Sequence, residues 1–446
     1  MTRAAIATLL IGVVLAPLNS TMISVALVPI SDDLGVNPGT VMWLVVSLYL
    51  SSGVAQPLAG VLVDRIGSRI VFICGLALVA LAGLLPVVGH HFVIIVFARI
   101  LLGFGLVVAY PAALAYVRNH AHQTGTVVPP ATLAVISTAS LATAAVGPVV
   151  GGVLVTHFGW VATFWVNTPL AGLGMVCAAF FLRGAGAKAS QPMDRGWTLD
   201  VIGLTLFTIA ITCLSAVLLS ADVPVIVFVL ISVSAGIGFI FWERKTVHPF
   251  IDVRLLLKNG PLTRTYGRLL LTFVGTYTIT YALSQWLQYR AGMGALEAGL
   301  MLLPMAVTAA IVTILVSRSE RVFSSLVVAA VCSLAGGLAL SMIASTTPKW
   351  AIIACVATFG VTHGLGAVSN QLALYRFAPA EVIGAAAGLS RSAVSMSALA
   401  TSAFIAVAFP ASPTDAGLHF LGLVVSGCAV LVLVLLAFDR SLRLSE

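Results

Sequence analysis

A few residues stand out because their chemistry is costly where the sequence puts them. Arg99 opens Arg99-Ile-Leu-Leu-Gly103-Phe-Gly105, and Arg391 lies among Ser390, Ser392, Ser395 and Ser397, both well inside apolar runs. A guanidinium at mid-bilayer costs about 3 kcal/mol on insertion scales, so it faces a partner, backbone carbonyls or a water-filled cavity. For Arg99, two readings stand: a structural arginine bonding carbonyls, or a relay or substrate-facing charge. Arg391, on a serine-rich stretch, reads either as a cavity wall or as an arginine paired across to another helix. His363, in Thr362-His363-Gly364-Leu-Gly366, is the one mid-span group that titrates near neutrality. It serves either as a coupling group or as a hydrogen-bonded member of a small-residue packing face. None of the 14 carboxylates falls near the middle of an apolar run. A cavity bounded by Arg99 and Arg391 is therefore expected to be neutral to positive.

The elements holding these residues follow from composition. Of 446 residues, 60% are hydrophobic and 8% charged, against roughly a quarter charged in ordinary soluble chains. So few charges cannot solvate a globule of this size, and most of the surface must face lipid. A helix needs about 20 apolar residues to cross, because unpaired backbone groups are not tolerated in hydrocarbon. Such runs lie at about 4–29, 41–62, 70–89, 92–117, 130–155, 163–183, 201–220, 223–242, 266–288, 297–316, 322–345, 350–374, 382–409 and 417–438. The expected fold is all-α and polytopic, with fourteen transmembrane helices in a six, two, six layout. The boundaries are 1–183 for an N-terminal six-helix bundle and 184–200 for a polar cytoplasmic linker. Two additional helices take 201–245 and a C-terminal six-helix bundle takes 246–446.

Charge placement orients the chain. The net charge is +8, from 22 Lys and Arg against 14 Asp and Glu. Eighteen of the 22 positives, among them Arg264 and Arg268, fall in alternate loops and the two tails. Arg290 and Lys349 fall on the opposite face, and Arg99 and Arg391 lie within spans. Basic loops stay in the cytoplasm, so both termini are expected there, in a multi-pass protein of the cell membrane. The basic balance thus reports topology, and no nucleic-acid partner is expected. The six cysteines are scattered in apolar runs with no CxxC pair, which gives no metal site and no disulfide framework. No nucleophile is assembled with a base, so no enzyme activity and no cofactor are expected.

Three segments carry mechanism. Gly60-Val-Leu62-Val-Asp64-Arg65-Ile-Gly67-Ser-Arg69 joins the second and third spans. Gly60 permits close helix approach, Gly67 supplies a turn, and Asp64 can pair with an arginine or a helix N-terminus. That makes a charged clasp able to latch two helices in one state. Gly147-Pro148-Val-Val-Gly151-Gly152 bends the fifth span and lets a neighbour pack closely. The Arg99 segment is the third. Together they resemble the signature loop, the antiporter motif and the fourth-helix arginine motif of the major facilitator superfamily. Trp43 with Tyr49, Phe164-Trp165-Val-Asn167-Thr-Pro169, Glu243-Arg244 with Pro249-Phe-Ile-Asp252-Val-Arg254, and Gly294 through Ala298-Gly299 to Leu303-Pro304 are similar to its fourteen-span drug:proton antiporter branch.

The resemblance implies a twelve-helix transport core with two inserted helices. It would rock between inward-open and outward-open states and export small molecules against protons, without a cofactor and as a monomer in the bilayer. Two departures bear on mechanism. Where the branch carries a first-helix aspartate, Leu18-Asn19-Ser20-Thr21 offers an asparagine, which hydrogen-bonds but does not titrate. The second-half counterpart of the signature loop, Arg318-Ser-Glu320-Arg321, lacks its glycines, which predicts a weaker latch there. The expected substrate is a small amphipathic compound or drug, neutral or anionic. A dedicated metabolite, lipid or natural-product exporter and a non-transporting sensor or scaffold are the alternatives. Asn19, Arg99, Tyr110, Trp286, Asn370, Gln371 and Arg391 are the candidates for substrate contact. Gly60, Asp64, Arg65, Gly67, Arg69, Gly147, Pro148, Gly151, Gly152 and His363 are those for coupling or gating.

Overall fold

The structure is a computed structural model. It describes residues 2–123, 130–182, 200–219, 224–246, 249, 251, 254, 256, 259–316, 321–379 and 383–443. The expected linker, Asp200 excepted, and residues 317–320 lie outside the described residues, as do the side chains of Gly60 and Asp64. The described residues form helices throughout, with no strand among them.

The first half contains α1 (Arg3–Met22), a 3₁₀ turn (Ile23–Val25), α2 (Leu27–Leu34), α3 (Pro38–Val41), α4 (Trp43–Ile66), α5 (Ser68–Val88), α6 (Phe92–Gln123), α7 (Pro130–Phe158), α8 (Ala162–Trp165) and α9 (Asn167–Phe181). The added pair is α10 (Val201–Leu219) and α11 (Val225–Lys245). The second half begins with α12 (Gly260–Tyr277), runs through a π-helical stretch (Thr278–Leu283) into α13 (Ser284–Tyr289), and continues with α14 (Ala295–Val316) and α15 (Val322–Leu340). It is completed by α16 (Lys349–Phe377), α17 (Ile383–Ala408), α18 (Asp415–Ala437) and the short α19 (Arg440–Arg443).

Local chemistry sets the helix ends. Thr2, Asn37, Asn259 and Thr414 each accept a hydrogen bond from a first-turn amide of the helix they precede, which satisfies donors that have no intrahelical partner. Between α4 and α5 the chain turns at Gly67, whose φ of 92° side chains avoid.

Thirteen of these helices are long and apolar enough to cross a membrane. The fourteenth expected crossing, 266–288, is the run Gly260–Tyr289, and its sequence accounts for the difference. Thr265, Arg268, Thr272, Thr276, Thr280, Ser284 and Gln285 make it too polar to qualify by hydropathy, yet all seven are buried against other helices. Arg268 needs a correction. Expected in a basic loop, it lies in the third turn of α12 and is fully buried.

Within the first half α1 packs on α6, α7 and α9, and α5 on α6 and α9. In the second half α12 lies among α16, α17 and α18, while α15 joins α16 and α18. The halves meet through α7 with α14 and through α3 and α4 with α17. Close backbone approaches between the halves lie at the end of the bundle remote from the termini, here the far end. There Gly152 faces the backbone of Ala295 and Leu296, Gly299 faces Pro148, and Gly39 faces Ala406. Nearer the terminal end, Gly53 on α4 and Gly388 on α17 have open space where a Cβ would stand. Helix α10 leans on both α4 and α17, while α11 touches α10 and little else, its apolar surface left to lipid.

Candidate functional site

The broken helix at the start of the second half is the spine of the site. Phe273, Tyr277 and Tyr281 recur every four residues, so their rings line one face. Tyr277 and Tyr281 stack with centroids 5.7 Å apart and planes 6° from parallel. Phe273 lies 6.2 Å from Tyr277 on the other side and meets His363 edge-on at 5.2 Å. Thr276 Oγ1 is 3.3 Å from His363 Nδ1. From the first half, Tyr49 meets Tyr277 edge-on at 5.4 Å, and its hydroxyl lies 3.3 Å from that of Tyr281. Tyr281 Oη donates to the Ser20 carbonyl at 2.9 Å. One step on, Ser284 Oγ donates to the Ser24 carbonyl at 2.9 Å. The π-helical stretch falls where these bonds cross between halves; such irregularities gather at functional positions because they re-aim side chains.

Beneath this ladder lies a polar knot within the first half. Asn19 Nδ2 donates to Asn167 Oδ1 at 2.6 Å, and Asn167 Nδ2 returns a bond to Asn19 Oδ1 at 3.0 Å. Asn19 also donates to the Leu15 carbonyl at 2.9 Å, and Asn167 to that of Phe164 at 2.9 Å. An amide carries both donors and an acceptor, so two of them close a reciprocal pair that a carboxylate could not close unprotonated. Arg99 is 1% exposed; its Nε donates to the Leu44 carbonyl at 2.8 Å and Nη1 to that of Asn19 at 3.4 Å. Both backbone-bonded and adjacent to Asn19, it combines features of the two readings. Its Nη2 is buried without a hydrogen-bond partner among the described residues.

Among the described residues no carboxylate pairs with Arg391; its guanidinium sits 4.5 Å above the ring of Tyr110. That contact brings two candidates together from opposite halves, α6 and α17. Arg391 is exposed and Tyr110 half-buried. Among the neighbouring serines, Ser390 and Ser397 turn back to backbone carbonyls at 2.8 and 2.9 Å.

Other candidates lie apart. Trp286, fully buried near the far end, donates to Asp415 Oδ1 at 3.0 Å, in a cluster with Arg290 and Ser345. Asn370, also fully buried, donates to the Gly366 carbonyl at 2.9 Å and accepts from Arg268 Nε at 3.4 Å. Gln371 beside it is half-buried. Asn370 thereby joins a charge cluster at the terminal end. Asp439 takes Arg268 Nη1 at 2.6 Å and Arg264 Nη2 at 3.0 Å, and Ser441 Oγ also donates to it. Burial alone would raise the Asp439 carboxyl, but the bonds from Arg264, Ser441 and Arg268 hold it below the ordinary carboxylate value.

The glycine motif on α7 works by contact. A Cβ on Gly147 would fall 1.9 Å from Thr21 Oγ1 and one on Gly151 2.5 Å from the Met22 carbonyl, so both serve α1. Gly152 faces the other way, 2.6 Å from Leu296 Cα on α14. Pro148, between them, presents its carbonyl to Gly299. In the signature loop Arg65 is exposed and Arg69 donates to the Ala179 carbonyl at 2.9 Å. The Asp64 side chain, with Gly60, lies outside the described residues.

Sequence reasoning missed Tyr277, Tyr281, Thr276 and Ser20. The signal was present in Phe273, Tyr277 and Tyr281 at helical spacing, interleaved with threonines, within an otherwise apolar half.

Comparison with known proteins agrees with this architecture. The Major Facilitator Superfamily pattern matches residues 9–403. The uncharacterized MFS-type transporter YwoD of Bacillus subtilis (strain 168) is 30% identical over 425 residues, covering 93% of this chain and 91% of that protein. The methylenomycin A resistance protein of Streptomyces coelicolor is 26% identical, over 79% of this chain and 74% of its own. The multidrug efflux pump LfrA of Mycolicibacterium smegmatis is 26% identical, over 91% and 81%. In structure, the nucleoside transporter NupG superposes with a TM-score of 0.71 at 11% identity, covering 98% of this chain and all of that one. The fold, the extent of the family match and these relatives converge: the chain belongs to the Major Facilitator Superfamily and is a multi-pass membrane transporter, not an enzyme.

Proposed function

We propose that the protein is a proton-coupled exporter of small amphipathic compounds, neutral or anionic, working as a monomer by alternating access between residues 1–183 and 246–446. The observation that carries the reading is Arg391 on Tyr110 beside the open side of the interface. A planar, electron-rich or anionic molecule can take the place of the tyrosine ring against the guanidinium, and no described carboxylate stands there to hold a cation. Relatives named for methylenomycin A resistance, tetracenomycin C resistance and export, and multidrug efflux support drug-like cargo.

With both termini in the cytoplasm, the far-end contacts would close the outside, so the form described here would face inward. His363 is the proposed proton-coupling group. It touches Phe273 and Thr276 on α12, the helix whose π-stretch reaches Ser20 and Tyr49 across the interface, so a change of charge there bears directly on the joint between halves. Asp64 would act as a latch at the terminal end.

The test is flux in proteoliposomes under an imposed pH gradient, comparing wild type with His363→Ala and Asn19→Asp. Gradient-driven accumulation is expected in wild type and is lost in His363→Ala. Flux that ignores the gradient would remove proton coupling, and no flux for any of a broad panel would remove transport.

A further inference from the structure

A cavity lies at the far end, away from the aromatic ladder. Its volume is about 260 Å³, and its walls come from both halves. From the first half, α2 contributes Ser31 and Asp32 and the turn after it Gly35 and Val36; from the second, α13 and the turn after α17 contribute Gln285, Tyr289, Ala411 and Pro413. Asp32 and Asp33 are neighbours with different employment. Asp33 accepts a hydrogen bond from Trp160 Nε1 at 3.0 Å, whereas among the described residues no hydrogen bond or ion pair engages Asp32. The nearby cation Arg290 is taken by Asp415 at 3.4 Å. Tyr289 is 53% exposed, leaving its ring open to a ligand.

One unengaged carboxylate, an open tyrosine ring and alkyl walls form a set with a definite preference. A metal ion needs several oxygen, nitrogen or sulfur ligands, and no group of three His, Cys, Asp or Glu is gathered among the described residues. An alkylated ammonium needs only a counter-charge, an aromatic face and apolar contact, because its charge is diffuse and weakly hydrated. We propose that this crevice is a binding site for an organic cation, and that its occupant pins the halves together at the far end. The second part follows from the walls. Opening the far end separates Asp32 from Tyr289, so a ligand touching both binds the closed form better and shifts the population toward it. The site is separate from the Tyr110–Arg391 pair and does not depend on what that pair transports.

The experiment is equilibrium binding of radiolabelled tetraethylammonium to the purified full-length protein in detergent. Amide exchange of the segments containing Asp32 and Tyr289 is followed with and without it. Saturable binding is expected, about tenfold weaker in Asp32→Asn and severalfold weaker in Tyr289→Ala. It should stay within about twofold in Glu297→Gln, which removes a far-end carboxylate that does not line the cavity. Exchange in both segments should slow on binding in wild type and not in Asp32→Asn. Because Asp32 is exposed and unbonded, its amide variant should fold normally. Absent binding, or binding indifferent to Asp32→Asn, overturns the site. Binding without slowed exchange overturns the pinning.

Discussion

At the scale of single residues, the central finding is that Asn19, buried in the first helix, is completed by a second asparagine. Asn19 and Asn167 satisfy each other across 148 positions of sequence. Truncating Asn167 leaves Asn19 Oδ1 buried without its donor, although Asn19 Nδ2 keeps its bond to the Leu15 carbonyl. Asn167→Ala is therefore expected to destabilise the first half by about 1–3 kcal/mol, readable as a lowered unfolding midpoint in detergent. Arg391 invites the complementary test. Arg391→Gln keeps polarity but removes charge, so an anionic substrate should bind about 10–100-fold more weakly while a neutral one changes little. Equal losses for both would show that the charge does not select. Both Asn19 and Arg391 were legible in the sequence, Arg391 as a charge within an apolar run and Asn19 as an amide where the resemblance implies an aspartate. That Arg391 would find Tyr110 was not, since nothing local to either segment specifies a partner about 280 positions away.

At the scale of elements, α7 and the broken α12–α13 helix do the joining. Small residues let two helix backbones approach, and on α7 they do so on two faces at once, Gly147 and Gly151 toward α1 and Gly152 toward α14. A methyl at Gly152 meets the Leu296 backbone and cannot be absorbed by a rotamer change. Gly152→Ala should cost the closed far end about 1–3 kcal/mol and raise the labelling of far-end cysteines introduced along α14. Unchanged labelling would mean that this contact does not hold the halves. The sequence motif advertised close packing but not which neighbour it served. The polar helix shows the opposite failure. The sequence predicts the crossing at 266–288 but places Arg268 with the basic loops, because burial of a charge against other helices is a tertiary fact.

At the scale of the whole molecule, two charged or polar clamps sit at opposite ends of the second half. The far-end set around Asp415 ties α13 to α18, and the terminal-end set around Asp439 ties α12, α16 and the C-terminal segment. Asp439→Asn would leave Arg268 buried beside a neutral partner, and removing one member of a buried pair typically costs about 3–5 kcal/mol. A marked drop in thermal stability is expected, with the second half loosened first in amide exchange. The pH dependence has a definite sign. The Asp439 carboxyl is held below its ordinary value, so its contribution is fully present above the unfolded carboxylate value, about 3.9. It is lost as pH falls through the lower folded value. Thermal unfolding between pH 7 and 3 should therefore show a loss at the acidic end in wild type that is smaller in Asp439→Asn.

By itself, the sequence determined what the bilayer and the backbone enforce. Sixty per cent hydrophobic residues in repeated long runs specify a helical, multi-pass membrane protein, because unpaired peptide groups are costly in lipid. It also marked the residues too expensive to be incidental. Only the tertiary structure decided their partners: Asn19 with Asn167, Arg391 on Tyr110, Arg268 against Asp439, and Tyr281 of the broken helix on Ser20. Those pairings join positions far apart in the chain, and their geometry is set by how whole helices pack, which no local pattern of residues encodes.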